Sequence, residues 1–154
     1  MSLASQVTLL AQRVAAEFNN RKVVGAGFTK TSSSSIPATT STLLSLDSTV
    51  YNDSTNYFTL ASGKVTVVKA GVYTLHWRVQ ANQTASGEMY LALNSANLNG
   101  VIGEVGGAYN ASDNRMFGSA VRRLTAGDVL NLSLYCTAAG TAVTAEFDLA
   151  RIGA

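Results

Sequence analysis

The stretch Tyr73-Thr74-Leu75-His76-Trp77-Arg78-Val79 decides the fold class of this chain. Apolar Tyr73, Leu75, Trp77 and Val79 alternate with polar Thr74, His76 and Arg78, the period of a strand that buries one face and exposes the other. The same period returns downstream. Met89, Leu91 and Leu93 alternate with Tyr90, Ala92 and Asn94, and Leu130, Leu132 and Leu134 alternate with Asn131, Ser133 and Tyr135. Ala145, Phe147 and Leu149 then alternate with Glu146 and Asp148. Turn signals separate the runs at Ser62-Gly63, Ala70-Gly71, Ser86-Gly87, Asn99-Gly100, Gly106-Gly107 and Ala126-Gly127-Asp128. Strands so spaced, with no helical pattern between them, predict an all-β antiparallel sandwich or barrel.

Upstream of this body the period changes. Leu3, Val7, Leu10, Val14 and Phe18 recur at helical spacing, and Ala4, Ala11 and Ala15 widen the stripe. Ser2 or Ser5 suits the helix start. A helix over residues 2–18 is marginal alone in water, so its stripe needs a partner surface. That surface is either the chain's own domain, other copies of the helix, or a larger assembly. Val23 to Lys30 reads as a first strand, with Gly25 and Gly27 permitting close backbone approach. Thr31 to Pro37 reads as a flexible polar loop. The expected organisation is therefore a helical arm over 1–20, a strand and Ser/Thr linker over 21–41, and a β head over 42–154.

Composition narrows the function classes. The 154 residues are 47% hydrophobic and only 13% charged, with a net charge of +2, too little for the basic footprint that nucleic acid requires. No apolar run reaches the ~20 residues of a membrane span, and the opening lacks the basic head and apolar block of a signal peptide. One cysteine excludes an intrachain disulfide, and one histidine removes most hydrolytic and metal chemistries. No enzyme, cofactor or metal is expected.

Four segments in order carry a family resemblance. Gly63-Lys64-Val65-Thr66-Val67-Val68-Lys69-Ala70-Gly71-Val72-Tyr73-Thr74-Leu75-His76-Trp77 resembles the second-strand signature of the complement-type globular head, one of the tumour-necrosis-factor-like trimeric jelly rolls. Glu88 to Asn94 resembles the strand running into an Asn-containing turn. Val121-Arg122-Arg123-Leu124-Thr125-Ala126-Gly127-Asp128-Val129 resembles the Leu-x-x-Gly-Asp turn before a long strand, and Ala145 to Leu149 the closing strand. The likeness spans roughly residues 42–152. It departs from the family pattern at Asp148, where the family usually has glycine, and in lacking a terminal aromatic and a collagen stalk. The resemblance implies a jelly roll of about 8–10 strands that assembles as a homotrimer. Residues 1–18, which begin Met1-Ser2-Leu3-Ala4-Ser5-Gln6-Val7-Thr8-Leu9-Leu10-Ala11-Gln12-Arg13-Val14-Ala15, are similar to the openings of small minor tail and virion-surface proteins of actinobacterial phages, which implies a virion protein assembled in a host cytoplasm.

Individual residues carry little chemistry. His76 has no nucleophile or orienting carboxylate in its motif. Cys136 continues the inward row of Leu130, Leu132 and Leu134 and reads as a buried apolar-like residue. Glu146 and Asp148 share a strand face and are expected to pair with Arg78 or Arg151 rather than form an acid/base site. Asn110, Asp113 and Asn114 form the cluster to watch for calcium. Gly103, Gly106 and Gly107 are followed by no helix start and so make no phosphate cradle. Asn52, Asn82, Asn110 and Asn131 open Asn-x-Ser/Thr triplets of a frequency such a composition produces by chance. The candidate surface-binding loops are 82–86, with Asn82 and Gln83, and 106–115, with Tyr109, Asn110, Asp113, Asn114 and Arg115.

The expectation that follows is a trimeric virion-surface knob. Leu3, Val7, Leu10, Val14 and Phe18 would serve anchoring or trimerisation, and the loops would contact a host cell-surface glycan, as in a tail fibre or minor tail protein. The alternative is a capsid decoration protein at three-fold positions, with other virion proteins as partners. A secreted tumour-necrosis-factor-like ligand is disfavoured by the missing signal-like opening. Neither nucleic acid nor membrane insertion is expected.

Overall fold

The computed structural model describes residues 2–21, 23–95, 100–109 and 114–153. One helix, α1 (Leu3–Arg21), precedes an all-β body. Ser2 caps the helix: its hydroxyl accepts the Ser5 amide at 3.3 Å and its carbonyl the Gln6 amide at 3.1 Å.

The strands in chain order are β1 (Val24–Lys30), β2 (Ser34–Ile36), β3 (Thr42–Leu44), β4 (Ser48–Asn52), β5 (Phe58–Ala61) and β6 (Lys64–Val67). They continue as β7 (Gly71–Gln83), β8 (Gly87–Ser95), β9 (Gly100–Tyr109), β10 (Asn114–Leu124), β11 (Val129–Cys136) and β12 (Gly140–Gly153). One sheet runs β10-β7-β12-β1-β4, with β2 also on β12; the other runs β5-β6-β11-β8-β9, with β3 also on β11. All pairings are antiparallel. This is a jelly roll of two packed sheets, with twelve strands among the described residues where the resemblance implied about 8–10. The extra count comes from short pieces: β2 and β3 are three residues each.

Alternation in the sequence becomes burial in the structure. Tyr73, Leu75, Trp77 and Val79 of β7 point into the core with Phe147 and Leu149 of β12 and Met89, Leu91 and Leu93 of β8. Leu130, Leu132 and Leu134 of β11 fill the facing sheet, and Cys136 ends that row, buried as expected. The connecting turns follow residue chemistry. Ser62 and Gly63 both have positive φ, 51° and 75°, and close the two-residue hairpin between β5 and β6. A Cβ on Gly63 would stand 2.6 Å from Ser45 Cβ, so glycine serves both torsion and space. Asp128 receives the Thr125 amide at 2.8 Å and fixes the turn before β11.

Several expectations change here. Gly106 and Gly107 are not a turn; they lie inside β9, paired with Tyr90 and Met89. Two pieces of the segment 21–41, β1 and β2, pair with strands of the head. β1 is inserted between β12 and β4, and Ser34–Ile36 pairs with Gly140–Ala142 of β12. The cause is β12, whose long edge takes β2 and then β1 on either side of a register shift between Ala142 and Thr144. β1 is buried on both faces, because Tyr51 of β4 folds over Gly27 where a Cβ would meet it at 2.4 Å.

Candidate interaction surfaces

The arm is the first surface. The apolar residues of α1 do not pack on the head: Leu3 is 76% exposed, Leu10 62% and Phe18 73%, and Val7 and Val14 are exposed with them. Its main approach to the body is at β12. The stripe is thus left uncovered by the chain's own head. The inner faces of both sheets are already packed on each other.

The second surface is the outward face of the first sheet. Cross-strand register aligns Phe117 of β10, Arg78 of β7 and Glu146 of β12 in one row, and Ser119, His76, Asp148, Gly27 and Tyr51 in the next. Glu146 takes Arg78 in a two-pronged pair, Nε to Oε2 at 2.7 Å and Nη2 to Oε1 at 2.5 Å. The pairing expected for Glu146 is thus with Arg78. Arg151 instead faces inward, is buried, and donates to the Ala70 carbonyl at 3.1 Å. Asp148 is half-buried, which raises its pKa; neighbouring Glu146 adds to the rise, while His76, the Tyr51 hydrogen bond and Arg78 oppose it. Asp148 stands where the resembled family has glycine, and the space it needs is supplied by Gly27 directly across the strand pair. Phe117, 75% exposed, and Val121 lie on the same face of β10.

The expected binding loops are rearranged. Asn82 and Gln83 belong to β7 rather than a loop, and Gln83 is 4% exposed, because its alternating position turns it inward. Asn114 and Arg115 open β10, paired with Ala81 and Gln80. Tyr109 ends β9 opposite Gly87. Asn110 and Asp113 lie outside the described residues. Register thus places the five described candidates near one end of the sandwich, with Asn114 across from the neighbour of Asn82 and Tyr109 across from Gly87, which Gln83 approaches from inside.

Titratable chemistry is sparse. His76 lies between Ser119 and Asp148 on the outer face, in the register row that also holds Gly27 and Tyr51. Burial pushes the Cys136 thiol up to about 11, which removes the thiolate that reactivity needs. Among the described residues no group of three or more His, Cys, Asp or Glu side chains comes together to hold a metal, and no helix is long and apolar enough to cross a membrane.

Comparison with known proteins identifies the fold. Murine APRIL superposes with a TM-score of 0.68 at 12% identity, over 84% of this chain and 99% of that chain. The PRD1 vertex protein P5 superposes with a TM-score of 0.61 at 19% identity, over 86% of this chain and 98% of that one. The globular domain of zebrafish complement 1qA protein gives 0.53 at 14% identity, over 82% and 94%. The jelly roll implied by the four sequence segments is thus the fold of the chain, shared with tumour-necrosis-factor, complement and vertex proteins. No protein-family model matches the chain, and no curated protein matches it.

Proposed function

We propose that this chain is a non-enzymatic virion-surface protein, a homotrimeric jelly-roll knob carried on its N-terminal helix and serving attachment to a host surface. One observation carries the reading: the apolar stripe of α1 stands in solvent beside a head whose own core is complete. A continuous exposed apolar stripe marks an interaction site. Its near-heptad spacing suits the seam of a short parallel bundle, and 19 residues of helix span only ~28 Å, which suits close mounting on a larger particle. The outward face of the first sheet supports self-association as well, since exposed Phe117 ends the Arg78–Glu146 row at the β10 edge and exposed Val121 lies on the same face. Three copies would then present three equivalent sets of surfaces, with the gain in avidity that this brings.

A second placement is capsid decoration at three-fold positions of the shell. It is favoured by the likeness to a vertex protein, at 19% identity over most of both chains. Sedimentation equilibrium of the full chain tests the common premise: three subunits are expected, and a stable single subunit overturns it. Copy number per particle then separates the placements, with a few copies for a tail structure and hundreds for a decorated shell.

A further inference from the structure

The outward face of the second sheet holds a cup that neither surface above uses. Met89, Leu91 and Leu93 of β8 face the core, while the alternate residues Tyr90, Ala92 and Asn94 line the hollow on the other face, Ala92 buried beneath its neighbours. Register places Tyr135 and Ser133 of β11 beside Tyr90 and Ala92, and Glu104 of β9 on the other side of Ala92. Ala92, the smallest of these, forms a sunken floor between larger neighbours. The resulting hollow has a volume of about 360 Å³, inside the range of ~300–1,000 Å³ usual for ligand clefts. Tyr90 and Tyr135 make one wall, ring centroids 6.2 Å apart and planes inclined by 49°. Two local features hold that wall. Gly106 lies across from Tyr90, where a Cβ would stand 2.4 Å from the ring, so its absence leaves room for the ring over β9. The Tyr90 hydroxyl donates to Glu88 at 3.0 Å. The opposite wall is polar: Asn94 Nδ2 donates to Ser133 Oγ at 2.6 Å, and the Glu104 carboxylate stands exposed at the rim.

We propose that this cup binds a neutral pyranose residue of a cell-surface polysaccharide. A pyranose has an apolar C–H face and a hydroxyl edge. Inclined tyrosine rings offer a rigid apolar body for the first. A carboxylate, an amide and a serine hydroxyl offer acceptors and donors for the second. Among the described lining residues there is one carboxylate and no cation, so an anionic sugar or a phosphate meets repulsion there. The cup lies on the opposite sheet from the Arg78–Glu146 face, so copies that associate through that face leave it open. The assignment deepens the attachment reading and rests on it for the source of the saccharide.

The test uses the full chain with three tetrasaccharides, mannotetraose, tetra-N-acetylchitotetraose and tetragalacturonate, read by saturation-transfer NMR. Transfer to at least one neutral tetramer and none to tetragalacturonate is expected. Tyr135→Ala and Ala92→Trp should each weaken that binding by about tenfold or more, with β circular dichroism and sedimentation unchanged. Silence with both neutral tetramers, preference for tetragalacturonate, or binding that survives both substitutions overturns the cup. A whole-cell binding assay run in parallel separates the two readings. Cells held equally by wild type and Ala92→Trp overturn the cup and leave attachment standing. Neutral saccharide bound by a protein that holds no cells upholds the cup and removes attachment.

Discussion

Trp77 of β7 lies against Gly118, its cross-strand partner on β10, so closely that a Cβ there would stand 2.6 Å from Cε2 and Cζ2 of the indole. The same ring meets Gly103 of β9 in the facing sheet, where a Cβ would lie 2.6 Å from Cη2. One indole therefore wedges the sandwich where β9 and β10 come together, and two glycines make its socket.

Gly118→Ala is accordingly expected to destabilise the head by about 1–3 kcal/mol, the usual effect of overpacking a rigid core site. Gly27→Ala should be milder, because the atoms a Cβ there meets, Tyr51 at 2.4 Å and Asp148 Oδ1 at 2.6 Å, belong to outer-face side chains that can shift, whereas the Trp77 indole is buried. Urea unfolding of both variants measures the difference. A Gly118→Ala protein as stable as wild type would remove the wedge from the account.

Charge placed on the arm should separate assembly from folding. Leu10→Asp with Val14→Asp puts two carboxylates on the exposed stripe of α1 and touches no core residue. The expected result is loss of the trimer by sedimentation with the β circular dichroism and the unfolding midpoint of the head retained. Retained assembly would show that the arm is not the contact.

Two carboxylates should give opposite pH dependence. Asp47 accepts the Thr31 amide at 3.0 Å, the Ser32 amide at 3.1 Å and the Ser32 hydroxyl at 2.8 Å, and these bonds, led by the Thr31 amide, hold its pKa well below the carboxylate range. Its contribution is present above the unfolded carboxylate pKa and is lost as pH falls through the folded value. Asp47→Asn should thus lower stability at neutral pH and flatten the acid limb. Asp148 is the reverse, because burial raises its pKa. Its contribution is present below the unfolded pKa and is lost as pH rises through the folded one. Asp148→Asn should therefore stabilise the protein at neutral pH. Urea midpoints across the acidic range check both signs, and a Asp148→Asn variant less stable than wild type at neutral pH would reverse the second.

Cys136 should resist thiol reagents in the native state. It is buried at the end of the β11 core row with its thiol pushed up to about 11. Labelling with an aromatic disulfide is expected to track global unfolding; fast labelling without denaturant would mean that this end of β11 opens locally.

Legibility followed the range of the interaction that decides each feature. Strand period, core rows and the Ser62-Gly63 hairpin were readable because neighbours two residues apart report which side of a strand is buried. The α1 stripe was readable for the same reason at helical spacing. Gln83 misled, since its polarity suggested a loop while its place in the β7 alternation turns it inward. Gly106-Gly107 misled in the other direction: the pair reads as a turn, yet Gly106 is small because Tyr90 needs the room.

The order of residues alone determines that this chain is an all-β body led by an amphipathic helix, because burial period is a local property of the chain. Only the tertiary structure decides that β1 enters the sheet between β12 and β4, that Glu146 takes Arg78 while Arg151 turns inward, and that Tyr90, Ala92, Tyr135 and Glu104 enclose one hollow. Those facts depend on register between strands far apart in the chain. A shift of one residue would turn every one of these side chains to the other face.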